Sequence, residues 1–135
     1  EHLAGRRVEP LSPHLVPRCV YSRPETASVG WTEREAREKG YDVKVGKFPF
    51  RFLGKAVVYG ETDGFVKVVA DRKTDDILGV HMIGAHVTDY VSEAALAQVL
   101  DATPWEVGRT IHPHPSMAES LSEAMLAVDR LSIHI

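Results

Sequence analysis

The stretch "ETDGFVKVVADRKTDDILGVHMIG", residues Glu61 to Gly84, contains two apolar runs separated by a short polar connection. After the turn residues ETDG, the runs FVKVVAD and ILGVHMIG carry the β-branched and aromatic residues that favour strands. The connection RKTDD is too short for a crossover helix, so the two strands are predicted to pair antiparallel. This stretch therefore predicts the centre of an antiparallel sheet.

The preceding segment "YDVKVGKFPFRF", residues 41–52, predicts another strand. Apolar residues alternate at Val43 and Val45, and the phase then shifts at the phenylalanines that follow. Gly46 and Pro49 indicate either a β-bulge or an edge position at this shift. The middle of the chain is thus predicted to be strand and turn throughout.

The N-terminal part has a different composition. "EHLAG" is typical of the last turn of a helix closed by Gly5, and the proline-rich "RRVEPLSPHLVP" predicts an extended linker. We therefore expect residues 1–17 to be a linker and the remnant of a preceding domain, and residues 18–135 to be the domain proper. Two short strands are predicted at its start, in "RCVYS" (18–22) and "ASVGW" (27–31).

Helices are predicted mainly in the last third of the chain. "VTDYVSEAALAQVL" (87–100), with Thr88 or Asp89 as its N-cap, has a face of alanines and valines that a partner surface could approach closely. "TPWEVG" predicts a second helix, with Thr103 as N-cap and Pro104 in its first turn.

Two more helices complete the predicted architecture. Thr32 and Glu35 have the spacing of a capping box for a short helix over 33–39, and a final helix is predicted from about 117 to 128. The fold class is therefore α+β, an antiparallel sheet with helices at the C-terminal end.

Composition narrows the function classes. The 16 basic and 19 acidic residues are interspersed and give a net charge of -3, which argues against a nucleic-acid or membrane surface as partner. Cys19 is the only cysteine and is expected to be a small buried hydrophobe. A lone cysteine suits a reducing compartment, or simply a chain without disulfides, and a cytoplasmic location is expected.

The segment "TIHPHPSMAESLSEA" (110–124) contains the candidate site. Pro113 and Pro115 fix φ beside His112 and His114, and X-Pro bonds adopt the cis form at a cost of about 0.5–1 kcal/mol. The prolines therefore either aim an imidazole or form a rigid connector between helices. The other histidines are expected to be structural or solvated: His2, His14, His81, His86 and His134.

Glu119 also allows two interpretations. With Ser116 it forms a capping-box pattern at the start of the last helix. Five residues after His114, it could instead bind one imidazole nitrogen and so fix the tautomer of the ring. Both roles coexist only if its two oxygens are divided. A metal site at His112 and His114 is disfavoured because no third ligand is nearby in sequence.

Three motifs, in this order and spacing, resemble the C-terminal dimerisation domain of flavoprotein disulfide reductases. They are "PETASVGWTEREA" (24–36), "ETDGFVKVVADRKTDDILGVHMIG" (61–84) and "HPHPSMAE" (112–119). The likeness extends from about Val16 to the last helix. The first histidine of "HPHP" is most similar to the dihydrolipoamide dehydrogenase branch of the family, with related reductases such as glutathione reductase as the alternative.

The resemblance implies a function. His114 would be the proton acceptor for a substrate dithiol and Glu119 its orienting partner, and the pair would complete the active site of the other subunit of a homodimer. FAD and NAD would belong to the full-length enzyme, with neither expected on this chain alone, because the chain has no CxxxxC and no GxGxxG motif. His112 receives no role.

A second implied function is a non-catalytic dimerisation and docking module. Its partners would be a second copy of the chain and the subunit-binding domain of a 2-oxoacid dehydrogenase acyltransferase.

Overall fold

The two strands predicted from Glu61–Gly84 lie side by side within a five-stranded sheet. The computed structural model describes residues 1–135, and its strand order is β1-β2-β5-β4-β3 with every neighbouring pair antiparallel. The α+β prediction is confirmed. The strands are β1 (Arg18–Val20), β2 (Glu25–Gly30), β3 (Val43–Pro49), β4 (Phe65–Asp71) and β5 (Ile77–Gly84).

Strand β3 lies at an edge of the sheet, which is where Pro49 is tolerated. Its register with β4 is unbroken, so of the two predicted alternatives the edge position is confirmed and the bulge is absent. The only register shift in the sheet falls between Val69 and Ala70 on β4. Gly46 serves a different purpose. A Cβ at this position would lie 2.2 Å from the carbonyl oxygen of Ala124, so glycine permits the close approach of a helix.

Five α-helices accompany the sheet, and one of them was missed. Helix α2 (Gly54–Tyr59) contradicts the prediction of strand and turn throughout the middle. Its start has no side-chain cap, and two β-branched valines lower its helix propensity. The burial of Ala56 and the left-handed cap at Gly60 stabilise it instead. The others are α1 (Glu33–Glu38), α3 (Val87–Val99), α4 (Pro104–Arg109) and α5 (Glu119–Ala127).

The predicted caps of α1 and α4 are confirmed. Thr32 and Glu35 form the reciprocal capping box, with the Thr32 N–H donating to Glu35 over 2.8 Å. Thr103 is the N-cap of α4, and the carboxylate of Glu106 accepts from its N–H over 2.7 Å.

The predicted cap of α3 is wrong. Thr88 and Asp89 lie inside the helix, and the N-cap is His86, in the left-handed region at φ 62°. The carboxylate of Glu25, on β2, accepts hydrogen bonds from the N–H and the hydroxyl of Thr88 over 3.1 and 2.7 Å. One of the free N–H groups of this helix end, that of Thr88, is therefore satisfied from a distant strand, which no local pattern reveals.

The main core lies between one face of the sheet and helices α3 and α5. Ala94 and Ala97 of α3 are buried there, so the alanines cover the chain's own sheet and their predicted exposure to a partner is wrong, whereas Val99 is exposed. The other face of the sheet carries a smaller cluster beneath α1. Cys19 is only half-buried and packs at the margin of the main core, with a free thiol. No helix is both long and apolar enough to cross a bilayer.

Glu123 fastens the C-terminal residues to α5. Its buried carboxylate accepts hydrogen bonds from the Ser132 hydroxyl, from the N–H of Ile133 (3.0 Å) and His134 (3.3 Å), and from Nδ1 of His134 (2.9 Å). Burial raises the pKa of Glu123, but these hydrogen bonds outweigh it and bring the pKa below the ordinary 4.5.

Replacing Glu123 with glutamine is expected to lower the free energy of unfolding at pH 7 by about 1–3 kcal/mol. Because the folded-state pKa is depressed, the contribution of the carboxylate is present above pH 4.5 and is lost as the pH falls through the folded-state value. Urea unfolding at pH 7 and at about pH 3 measures this difference. Glu38→Gln, at an exposed glutamate, is the control, and an equal loss of stability for Glu123→Gln at both pH values would contradict the prediction.

Candidate functional site

The candidate site lies on the connection between α4 and α5. Residues 112–115 of this connection are called the HPHP segment. Helix α4 ends at Arg109 and α5 begins at Glu119, so both ends of the connection are held by packed helices. Both prolines lack a backbone N–H and have a fixed φ. The His114–Pro115 peptide bond is cis.

His114 and Glu119 form a hydrogen-bonded pair. The distance from His114 Nδ1 to Glu119 Oε1 is 2.8 Å, and the two side chains are 76% and 23% exposed. An ionised carboxylate only accepts, so Nδ1 donates and the neutral ring keeps its lone pair on Nε2. Nε2 makes no hydrogen bond within the chain. The pair therefore presents an unoccupied, oriented basic nitrogen at the surface.

Glu119 divides its two oxygens between two partners. Oε1 binds His114, and Oε2 accepts the backbone N–H of Ser116 over 2.7 Å. The reciprocal bond of the predicted capping box is absent, since the Ser116 hydroxyl oxygen is buried without a partner and Ala118 is the N-cap of α5. The helix begins at Glu119, two residues later than predicted.

His112 has a carboxylate partner that sequence reasoning missed. Its Nε2 lies 2.8 Å from Oε1 of Glu93, on α3, and its Nδ1 lies 2.9 Å from the carbonyl oxygen of Thr110. The hydrogen bond to Glu93 raises the pKa of His112 above the ordinary 6.5, against the opposing effect of burial. One signal was available: Glu93 is the only charged residue within the alanine-rich "YVSEAALAQVL".

His14, His81, His86 and His134 have contacts within the fold. No group of three potential ligands could hold a metal ion. His81 binds the carbonyl oxygen of Trp31 over 3.0 Å and His86 lies 3.3 Å from Asp89, in line with the structural roles predicted for both. His14 was expected to be solvated, but its ring stacks on Trp31 with centroids 4.4 Å apart. His134, likewise expected in solvent, binds Glu123.

An apolar ridge runs beside the HPHP segment. It consists of Leu96, Val99, Leu100 and Trp105, each between 57% and 68% exposed, and we call it the α3–α4 ridge. Glu93, Leu96 and Leu100 have the i, i+3, i+7 spacing of one helix face. Because His112 binds Glu93, which lies three residues before Leu96 on α3, the α3 end of the ridge lies near the HPHP segment.

Together, the antiparallel α+β fold, the exposed histidine–carboxylate pair and the adjoining ridge define an interface-type domain. Residues 16–125 match the family described as pyridine nucleotide-disulphide oxidoreductase, dimerisation domain. The chain belongs to this family, and the resemblance found in the sequence is confirmed.

Named relatives agree with this assignment. The chain is 68% identical over 134 residues to the dihydrolipoyl dehydrogenase of Bacillus subtilis and 45% identical over 135 residues to that of Zymomonas mobilis. Both matches cover 99% of this chain, but it spans only 28% and 29% of the length of these relatives.

Solved structures show the same fold. LpdA from Mycobacterium tuberculosis is similar over 92% of this chain and 27% of that protein, with a TM-score of 0.84 and 26% identity. The HOCl-induced flavoprotein disulfide reductase RclA from Escherichia coli is similar over 82% of this chain and 25% of that protein, with a TM-score of 0.78 and 30% identity.

Proposed function

We propose that this chain is the interface domain of a dihydrolipoamide dehydrogenase. In that enzyme it would form the homodimer and supply His114 and Glu119 as the acid/base pair to the disulfide site of the opposite subunit. The observation that carries the proposal is the 2.8 Å bond between Glu119 and Nδ1 of a largely exposed His114, which leaves Nε2 without a partner in its own chain.

The chemistry assigned to His114 is removal of a proton from sulfur. A thiol with a pKa of about 8.5 is mostly protonated at neutral pH, and only its thiolate attacks a disulfide. In the proposed step, the S–H proton of the substrate dithiol moves to Nε2 of His114, and the lone pair stays on sulfur as a thiolate. Glu119 keeps the ring in the Nδ1–H tautomer and stabilises the imidazolium that forms.

This chain itself is not a dinucleotide site. FAD and NAD bind to parallel βαβ units with a glycine-rich turn, and all strand pairs in this sheet are antiparallel. The residues present therefore do not fit either group, and in the proposed enzyme FAD and NAD belong to other domains.

We further propose that the homodimer forms through the α3–α4 ridge. Interfaces between permanently associated subunits have apolar centres, and four large apolar side chains are exposed together here. The ridge adjoins the HPHP segment, so a partner packed on it would bring its own reactive groups within reach of His114.

A cytoplasmic location, supported by the free Cys19, is part of this proposal. Docking of an acyltransferase stays a prediction of the resemblance.

Mixed dimers test whether His114 acts across the subunit boundary. One full-length protomer carries His114→Gln, and the other retains His114 but has serines in place of its redox cysteines. Each variant alone is expected to be inactive. Random mixing is expected to restore about a quarter of the parent activity, since half of the dimers are mixed and each has one complete site. The measurement is lipoamide-dependent turnover after co-refolding or co-expression.

Absence of recovery in isolated mixed dimers would contradict action across the boundary. Dimers purified with two different affinity tags provide this control, because their composition is known before activity is measured. Two parent protomers carrying the same two tags serve as the matched reference.

A further inference from the structure

His112 is bonded at both ring nitrogens to groups that accept hydrogen bonds. The Thr110 carbonyl oxygen, 2.9 Å from Nδ1, can only accept, and so can the ionised carboxylate of Glu93, 2.8 Å from Nε2. With Glu93 ionised, both nitrogens must donate, so these two contacts favour the imidazolium form of His112. His114 differs, since only one of its nitrogens has a partner.

The pair connects two helices that meet at the HPHP segment. Glu93 lies in the middle of α3, while Thr110 is the C-cap of α4, and its hydroxyl donates to the carbonyl oxygen of Glu106 over 3.0 Å. The His112 side chain is only 6% exposed and that of Glu93 is 32% exposed. His112 is therefore held on two sides by parts of the fold that are themselves packed.

Only Pro113 separates His112 from His114. The proline ring fixes φ, so few free dihedral angles lie between the two side chains. His114 is 76% exposed, and Glu119 is its only hydrogen-bond partner within the chain. Its position depends on the anchors on either side, which are His112 before it and the Glu119–Ser116 contact after it.

We propose that Glu93, acting through His112, is a positioning residue for the His114–Glu119 pair. The expected effect of replacing Glu93 on turnover rests on the proposed function. The expected effect on the ring of His114 does not. Three groups face His112: Glu93 from α3, the Thr110 carbonyl from the end of α4, and the negative charge of Glu119 from α5.

The pH dependence of the pair follows from the raised pKa of His112, which results first from the hydrogen bond to Glu93. Because the folded-state pKa is raised, the pair contributes fully to the free energy of unfolding below the ordinary pKa of 6.5. This contribution is lost as the pH rises through the raised pKa. The hydrogen-bonded pair of His112 and Glu93 is therefore expected to weaken as the pH rises above the pKa of His112.

The test compares Glu93→Leu with Glu93→Gln in a full-length protein that carries this domain. Leucine removes the partner of His112, whereas glutamine keeps a hydrogen-bonding side chain of the same length. Glu33→Leu is the matched control, because the Glu33 carboxylate is similarly exposed (34%) and pairs with Lys67 at 2.7 Å, away from the site. Ring ¹³C and ¹⁵N shifts of labelled histidines report protonation and tautomer, and kcat reports turnover.

At pH 6.5, which lies below the raised pKa of His112, this ring is expected to be doubly protonated in most molecules of the parent, and His114 to be the Nδ1–H tautomer when neutral. Glu93→Leu is expected to remove the second proton from His112, to mix the tautomers of His114 and to lower kcat roughly 10- to 100-fold, since small misplacements of reacting groups are costly. Glu93→Gln should recover most of kcat, and Glu33→Leu should change none of these readouts.

An unchanged His114 tautomer together with parental kcat in Glu93→Leu would overturn the inference. If His114→Gln itself retained activity, the proposed function would fail. The tautomers of His114 in Glu93→Leu would still show whether Glu93 positions the ring. Should Glu93→Leu not fold, His112→Asn, whose side chain is too short to reach Glu93, is expected to mix the His114 tautomers in the same way. Parental tautomer and kcat in that variant would overturn the inference equally.

Discussion

Replacing His114 with glutamine is expected to lower the turnover of dihydrolipoamide about 10²- to 10⁴-fold in a full-length protein that carries this domain. Glutamine has nearly the volume of histidine but cannot accept a proton at neutral pH. The side chain is 76% exposed and buries little, so folding should be retained. Steady-state kcat measures the effect, and flavin absorbance and molecular size on gel filtration show that the dimer is intact.

His86→Gln is the matched control for this experiment. His86 is also an exposed histidine beside a carboxylate, with its Nδ1 3.3 Å from Asp89, but it lies at the start of α3 and outside the proposed site. Its replacement should leave kcat within about twofold of the parent value. Near-parental kcat for His114→Gln would leave only the dimerisation and docking interpretation of this chain.

Replacing Leu100 with glutamate is expected to weaken dimerisation by roughly 30-fold or more, the cost of losing one central contact of an interface. The Leu100 side chain is 68% exposed in the isolated chain and lies on the α3–α4 ridge, so the substitution should not disturb the core. In the dimer, however, it would place a carboxylate in an apolar contact without a partner. Sedimentation velocity over a range of concentrations measures the shift from dimer to monomer.

Turnover should fall together with dimerisation in Leu100→Glu, because a monomer has no opposite subunit to receive His114. Leu100→Met is the control, since it keeps an apolar side chain of similar volume and should remain dimeric. A Leu100→Glu variant that stays fully dimeric at nanomolar concentration would exclude this ridge from the interface. The prediction for His114 would then still stand by itself.

Much of the fold could be predicted because its signals are local. The apolar runs of β4 and β5 and their short connection indicate an antiparallel pair without reference to any other residue. The capping box at Thr32 and the N-cap at Thr103 likewise depend on residues a few positions apart, and both helices begin as predicted. The predictions that failed concern contacts between residues far apart in the sequence. The N-terminus of α3 is satisfied by Glu25 from β2, and the alanines of α3 proved to face its own sheet.

In the candidate site, too, the sequence could predict contacts between nearby residues but not contacts between distant ones. His114 and Glu119 are five residues apart on a proline-restricted segment, so spacing alone suggested that they could meet, and the two roles of Glu119 were visible as alternatives. Glu93 was not, because it lies 19 residues before His112 and approaches it only after α3 packs on the sheet.

Residue type and spacing predicted the antiparallel sheet and the helix starts at Thr32 and Thr103, and they allowed a pair between His114 and Glu119, because each depends on groups within a few residues of one another. Packing alone decided which face of α3 is buried, that Leu96 and Leu100 form an exposed ridge, and that Glu93 holds His112. These features depend on where whole helices lie on the sheet, and that is set by the summed burial of many side chains rather than by any one segment.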